Sequence, residues 1–308
     1  HIRTGNITNS RYFEYNNIIN NLNNNLKHVE NIENTIIIIT GDIFHHKNLI
    51  EPYGISLFNE LINTLTNFTS TYIIRGNHDY RQDYNNLNND NIELISSLIS
   101  KYKNAHYLNK TGLYEIGDIL VGVVAIQDVL KTGDTSGKID LIKFPFTNKI
   151  YKHTIALFHG IITENDNTIY NDAINIEWIK NYKFGMLGDI HKQEIFNAKW
   201  NDKGYYDIKD KDEIIWGYSG SLIQQNFGES YNKHGYLLWE LNKSQVKSID
   251  IPNKIAYLNL YFKTNWKIKI IDQNFNDMFI NLNEFLINNN HINRAHIPVS
   301  YTHLTLPT

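Results

Sequence analysis

The chain has 308 residues, a net charge of −3 and no cysteine, which allows one large core and excludes disulfides, thiolate nucleophiles and Cys-ligated zinc. The near-neutral charge gives no global electrostatic case for nucleic acid, although a local basic groove stays open. The longest apolar runs, residues 36–39 and 119–126, fall far short of the ~20 residues of a spanning helix, so no membrane association is expected.

The chain opens on His1 rather than on a methionine, so an upstream segment is expected. Residues 11–33 carry Ile18, Ile19, Leu22, Leu26 and Val29 at helical spacing, and residues 35–40 then read as a buried strand ending in Gly41-Asp42. The unit repeats, with a helix over 55–65 and a strand over 71–75 that runs into Gly76-Asn77-His78-Asp79. Another helix is expected over 91–101. The pattern then turns β-rich, with strands over 106–108, 113–116, 119–125 and 153–158, the last ending in His159. A short helix over 176–181 precedes a strand over 184–187 that opens onto Gly188-Asp189-Ile190-His191.

Further strands are expected over 214–218, 235–241 and 246–251, and Pro252 marks a boundary. Beyond it the pattern gives strands over 257–262 and 267–271 and a helix over 275–287, too little for an independent core. The domains expected are thus a main domain over 1–251 and a partial domain over 252–298. Asn-rich runs at 20–25 and 85–91 lie among spaced Ile and Leu and read as solvated helix faces.

Polar clusters therefore close several strands, and the edge of a sheet at strand termini is where α/β folds place ligands. Cleaving a phosphodiester at neutral pH needs an activated water, neutralisation of phosphate charge and a proton for the leaving oxygen. Two metals ~3.5–4 Å apart supply the first two. Asp42 is the candidate bridging carboxylate, and Asn77 offers a neutral carbonyl oxygen. His159, Asp189 and His191 complete the ligand set; an extended Asp189-Ile190-His191 would point both ligands to one side. Ligands of this kind suit manganese, magnesium or iron better than structural zinc. His78 reads as a proton or hydrogen-bond donor to the phosphate, with Asp79 orienting its ring. Taken singly, each cluster is only a turn signal; their conjunction in one chain carries the reading.

In order and content these clusters resemble the calcineurin-like metallophosphoesterases, whose pattern runs Asp-x-His, Gly-Asp, Gly-Asn-His-Asp or Glu, a lone His, and Gly-His-x-His. Within that superfamily the chain is similar to SbcD-type DNA repair exonucleases. The Phe44-His45-His46-Lys47 continuation, the stretch SGSLIQQNFGE from Ser219 to Glu229 and HGYLLW from His234 to Trp239 carry that finer likeness. The resemblance implies a four-layer α/β/β/α sandwich with the start of a small α+β capping domain. It also implies two Mn2+ ions, with Mg2+ or Fe2+ as alternatives, and activity on DNA ends. By motif, His1, Asp42 and His191 would hold one ion, and Asp42, Asn77, His159 and Asp189 the other. His78 would be catalytic, supported by His45. The partners implied are DNA, an SbcC-type ATPase and a second copy of the chain docked through the 55–65 and 91–101 helices, in a host cytoplasm or nucleus.

Two departures stand out. The aspartate expected two residues before His1, and the strand leading to it, lie outside the sequence, and Asp189 replaces the first histidine of Gly-His-x-His. That variant resembles phage or large-virus members of the family. Residues 299–308 resemble a translated sequencing adapter and are expected to be a non-native tail. Arg75, Arg81 and Lys192 are expected near phosphate. Tyr205, Tyr206, Trp216 and Tyr218 could stack on bases but read better as strand residues of the core. Lys209 to Glu213 reads as a solvated hairpin tip, and His234 is read either as a further neighbour of the metals or as a structural histidine. Two other functions stay open: a phosphoesterase for small esters or phosphoproteins, and a non-hydrolytic scaffold for DNA or the ATPase.

Overall fold

The structure is a computed structural model that describes residues 2, 11–45, 51–79, 94–131, 150–164, 173–210, 213–257, 260–262, 268–270, 278–279 and 294–296. His1, Arg81 and the 299–308 tail lie outside these residues. The first half alternates helix and strand: α1 (Tyr12–Leu26), β1 (Ile37–Ile39), α2 (Pro52–Thr66), β2 (Thr71–Ile74), α3 (Leu94–Ile99) and β3 (Ala105–Leu108). The helical periodicity read through residue 33 ends at Leu26, and the chain then turns, with Asn31 left-handed at φ 53° before a short 3-10 turn at Ile32–Asn34. Proline at the first helical position starts α2.

β4 (Gly112–Ile116), β5 (Ile119–Val124), α4 (Ile126–Lys131), β6 (His153–His159), β7 (Ile161–Thr163) and β8 (Ala173–Asn175) come next, then a 3-10 helix at Ile176–Asn181 whose first amides are capped by Asn175. The chain continues through β9 (Phe184–Gly188), β10 (Glu194–Phe196), β11 (Ala198–Trp200), β12 (Tyr206–Ile208), β13 (Ile215–Tyr218), β14 (Gly235–Glu240) and β15 (Gln245–Asp250). It ends in β16 (Ile255–Tyr257), β17 (Leu260–Phe262), β18 (Ile268–Ile270), β19 (Met278–Phe279) and β20 (Arg294–His296). Short elements escaped the sequence pattern: α4, β7, β8 and β10 to β12 are three to six residues long, below what periodicity resolves. The helix expected over 275–287 is corrected at Met278–Phe279, which pair antiparallel with β18; the rest of that span lies outside the described residues.

β1, β2 and β3 form a parallel sheet. A six-stranded sheet runs β10-β13-β9-β6-β5-β4, with its four central strands parallel and its two edges antiparallel. Its central strands are buried on both faces, which explains their unbroken apolar runs. Along β6, Ile155 and Leu157 face the three-stranded sheet in a core with Ile74, Leu108, Val121, Val123 and Phe184. Ala156 and Phe158 face the other way, into a core covered by Val129 of α4 and by Trp178 and Ile179 of the 3-10 helix. α1, α2 and α3 close the far side of the three-stranded sheet through Ile18, Leu57, Phe58, Ile62 and Ile95. The layers are therefore helix, sheet, sheet, helix. Each fully buried Ile, Leu or Phe in these cores contributes about 1.5–3 kcal/mol.

The four-stranded sheet β11-β12-β15-β14 continues the inner layer, sending Leu237 and Trp239 toward the six-stranded sheet and Tyr236 toward α1. A cleft of about 1400 Å³ lies between β1 and β14. The residues just after Pro252 are tied to the rest of the chain: Asn253 Nδ2 donates to Glu14 Oε1 at 2.8 Å and Tyr257 N to Gln224 Oε1 at 2.7 Å. Among the described residues, no helix is long and apolar enough to cross a membrane.

Candidate metal centre

The parallel strands bring their C-terminal ends to one place, as sheets of this type do. Asp42 follows β1, Asn77 and His78 follow β2, His159 ends β6, and Asp189 follows β9. Register sets the closest approach, because His159 pairs with Gly188, the residue before Asp189. Both carboxylates sit on left-handed backbone, φ 57° at Asp42 and 86° at Asp189, a conformation that non-glycine residues hold only where the surroundings enforce it. The extended Asp189-Ile190-His191 expected from sequence is thus corrected, although both side chains still line the same cleft.

Glycine permits the loops to touch. A Cβ on Gly76 would lie 2.1 Å from Asp42 Oδ1 and 2.2 Å from Asp42 N, and one on Gly188 would lie 2.0 Å from the Thr40 carbonyl. Neither contact is possible for a real side chain, so the backbones approach as they do only with glycine at both positions.

Asp42, His159 and Asp189 each offer a ligand atom, and these atoms lie within 4.8 Å of one another. His159 Nε2 stands 3.2 Å from Asp42 Oδ1 and 3.6 Å from Asp189 Oδ1. Asn77 Nδ2 donates to Asp189 Oδ1 at 3.4 Å, and the amide of His78 donates to Asp42 Oδ1 at 2.9 Å. Asn77 Oδ1 is buried without a hydrogen-bond partner among the described residues, and His159 Nε2 is buried against the two carboxylates alone. An orphaned amide oxygen costs free energy in a buried site unless something else engages it. A hard divalent cation fits: two carboxylates, an amide oxygen and an imidazole nitrogen are its donors.

The histidines share one arrangement. Nδ1 of His159 is 2.6 Å from the Thr40 carbonyl, Nδ1 of His78 is 2.7 Å from the His45 carbonyl, and Nδ1 of His191 is 2.8 Å from Glu229 Oε1. Each partner oxygen can only accept, so each Nδ1 carries the proton and Nε2 is left for the cleft, as in metal-ligating histidines anchored through the other ring nitrogen. His45 stacks on His78 with centroids 5.5 Å apart. Burial alone would lower the pKa of His159, which is 1% exposed; the Asp42 carboxylate outweighs it, with help from the Thr40 carbonyl and Asp189, and raises it to about 9. The Glu229 hydrogen bond holds His191 above the ordinary histidine value.

A cleft of about 280 Å³ collects Asp42, His45, His78, Asp189, His191, Gln225 and Asn226. Asn77 and His159 lie in contact with that set, at its floor. Asp79 does not orient the His78 ring as expected. Its carboxylate accepts from the amides of Ile43 at 3.0 Å, Phe44 at 3.3 Å and Gly76 at 3.1 Å, tying the β1 loop to the β2 loop. Burial, then repulsion from Asp42, raises its pKa.

Of the cations expected near phosphate, Arg81 lies outside the described residues. Arg75 is 8% exposed and donates from Nε to Tyr107 Oη at 3.3 Å, while Lys192 pairs with Glu194 Oε1 at 2.7 Å on the surface. His234 is structural, since Nε2 bonds the Ser230 carbonyl at 2.7 Å and Nδ1 lies 3.1 Å from Ser221 Oγ. Trp216 stacks on Phe196 at 3.9 Å in the core, and Tyr218 Oη reaches the Gly160 carbonyl at 3.3 Å. Glu229 carries no sequence signal beyond its place in SGSLIQQNFGE; no local pattern announces a contact with His191, which is 38 positions away.

The profile of the family described as calcineurin-like phosphoesterase matches residues 10–193, the span that holds Asp42, Asn77, His78, His159, Asp189 and His191. An uncharacterized protein of Acanthamoeba polyphaga mimivirus is 32% identical over 271 residues, 85% of this chain. The chain spans 18% of that relative's length. A protein of Invertebrate iridescent virus 6, named as a candidate phosphoesterase, is 23% identical over 254 residues, 77% of this chain and 80% of its own length.

Proposed function

The chain belongs to the calcineurin-like phosphoesterases, and from that premise we propose that it is a Mn2+-dependent phosphodiesterase acting on DNA ends. The observation that carries the hydrolytic reading is the convergence of Asp42, Asn77, His159 and Asp189, with the buried Asn77 Oδ1 lacking any hydrogen-bond partner among the described residues. These residues would hold the metal, joined by His191 and, by motif alone, His1. Bound there, divalent ions supply an acidified water and neutralise phosphate charge. His78, its Nδ1–H committed to the His45 carbonyl, presents Nε2 to the phosphate; as the imidazolium, with both ring nitrogens protonated, it would give the Nε2 proton to the leaving oxygen and be left as the neutral Nδ1–H ring. His45 holds that ring through its carbonyl and by stacking.

The preference for DNA is supported by the likeness of the 219–229 and 234–239 stretches to SbcD-type nucleases. An SbcC-type ATPase partner, a homodimer through α2 and α3, a capping role for the chain beyond Pro252 and a site of action in a host cytoplasm or nucleus belong to the same proposal. One observation favours a second reading, hydrolysis of small phosphate esters: Arg75 is 8% exposed, with its Nε donated to Tyr107 Oη. Nucleotide release from a blunt duplex in Mn2+ separates them. DNA cleavage that His78→Ala abolishes supports the first reading, and turnover of small esters with none on duplex supports the second. DNA binding without any hydrolysis, surviving Asn77→Ala, overturns both in favour of a scaffold.

A further inference from the structure

Glu229 lies on the loop between β13 and β14, and its carboxylate is a hub for the cleft's outer wall. Oε1 accepts from His191 Nδ1 at 2.8 Å and from Asn226 Nδ2 at 2.8 Å. Oε2 accepts from the Gln225 amide at 2.8 Å and lies 3.5 Å from Ser221 Oγ, whose oxygen is in turn 3.1 Å from His234 Nδ1. The loop is fixed from outside as well. Gln224 Nε2 donates to the carbonyls of Glu229 and Tyr257, both at 2.8 Å, and Arg11 Nη2 donates to the Gln224 carbonyl at 2.7 Å.

The Glu229 side chain is 14% exposed, whereas that of His191 is 32% exposed. Packing alone holds an imidazole with a third of its surface exposed only loosely, and a charge-assisted hydrogen bond adds a directed hold on the ring. We propose that Glu229 is a positioning residue that acts through His191: it fixes the ring with Nδ1 protonated and Nε2 turned toward Asp42 and Asp189, and so sets the affinity of the metal that His191 holds. The inference rests on the metal reading above and names a residue that reading does not need. It also predicts a division of labour within the histidines. Thr40 and His45 lend backbone carbonyls, which no substitution of their side chains removes. His191 alone depends on a side chain.

The test is a double-mutant cycle read by Mn2+ binding, monitored by electron paramagnetic resonance of free Mn2+ with no DNA present. Glu229→Gln removes the charge and leaves one acceptor oxygen, enough for either the His191 side or the Gln225 amide but not both, and Glu229→Ala removes every acceptor. Mn2+ affinity of one site is expected to fall by about 10-fold in Glu229→Gln and up to about 100-fold in Glu229→Ala. On a His191→Ala background neither substitution should weaken binding further. Equal losses with and without His191, or no loss in either background, would overturn the proposal. So would a Glu229→Gln chain that loses its cooperative melt, because Glu229 would then serve the fold. Wild-type chain that binds no Mn2+ overturns the metal reading and this proposal together; binding indifferent to Glu229 overturns this proposal alone.

Discussion

At the floor of the cleft, Asp42, Asn77, His159 and Asp189 sit on the ends of four strands and are placed by sheet register and by glycine-mediated contact of backbones. At the rim, His45, His78, His191 and Glu229 sit on loops and are placed by hydrogen bonds across long sequence distances. The floor is the drier at Asp42 and His159, 6% and 1% exposed, while the rim is more open at His191, whose side chain is 32% exposed. Burial makes the unpartnered Asn77 Oδ1 costly, which is where a metal gains most by binding. An open rim suits groups that meet substrate and exchange protons.

Substitutions at the floor should produce the largest effects. Asp42→Asn removes a charge at the centre of the cluster, and we expect Mn2+ binding to be lost and phosphodiester hydrolysis to fall by about 10³-fold or more, with the metal-free fold retained. Calorimetric titration with Mn2+ and a thermal melt check both halves, and unchanged Mn2+ affinity would remove Asp42 from the centre. Gly76→Ala tests the backbone contact itself. With a Cβ placed 2.1 Å from Asp42 Oδ1, we expect about 3 kcal/mol of destabilisation in a denaturant melt together with loss of metal. A stable, metal-binding Gly76→Ala chain would mean that the two loops need not touch.

At the rim, His78→Ala should cost about 10²–10⁴-fold in turnover while leaving Mn2+ affinity within about twofold, since its Nε2 serves protons rather than the ion. A parallel fall in affinity would make His78 a ligand. The pH dependence returns to the floor. His159 titrates near 9 in the metal-free chain, above its ordinary 6.5, so its pairing with Asp42 stabilises that state fully below about 6.5 and less as pH rises through about 9. The ion needs Nε2 bare and must displace that proton. Mn2+ affinity should therefore rise with pH and level off above about 9, with at least one proton released, which calorimetry in buffers of different ionisation enthalpy counts. The smallest effect belongs outside both regions: Lys192→Ala, which breaks only a surface pair, should change activity less than twofold and leave the salt dependence of DNA binding unaltered.

The contrast between floor and rim also explains what could be seen in advance. Asp42, Asn77, His159 and Asp189 were legible because each follows an apolar strand directly, and parallel strands deliver their ends to one edge. Asp79 was placed correctly in the chain but given the wrong partner: its carboxylate meets three amides of neighbouring loops, and sequence adjacency to His78 says nothing of that. Arg75 lies one residue beyond β2 and looked available for phosphate, yet Tyr107 on β3 draws it inward. Glu229 was invisible as a functional residue because its contact with His191 is made by a loop without periodicity. Among the larger elements, the helices and strands up to β9 follow their apolar spacing, whereas the strands β10 to β12 and Met278–Phe279 are too short for periodicity to show and are defined by the antiparallel partners they pair with.

The most direct test of a metal-dependent phosphoesterase is hydrolysis of bis(p-nitrophenyl) phosphate by the wild-type chain and by His159→Ala, each after chelation and again after Mn2+ is restored. Hydrolysis that vanishes on chelation, returns with Mn2+ in the wild type and stays absent in His159→Ala is the predicted result. Turnover that survives chelation, or that His159→Ala retains, would contradict the account.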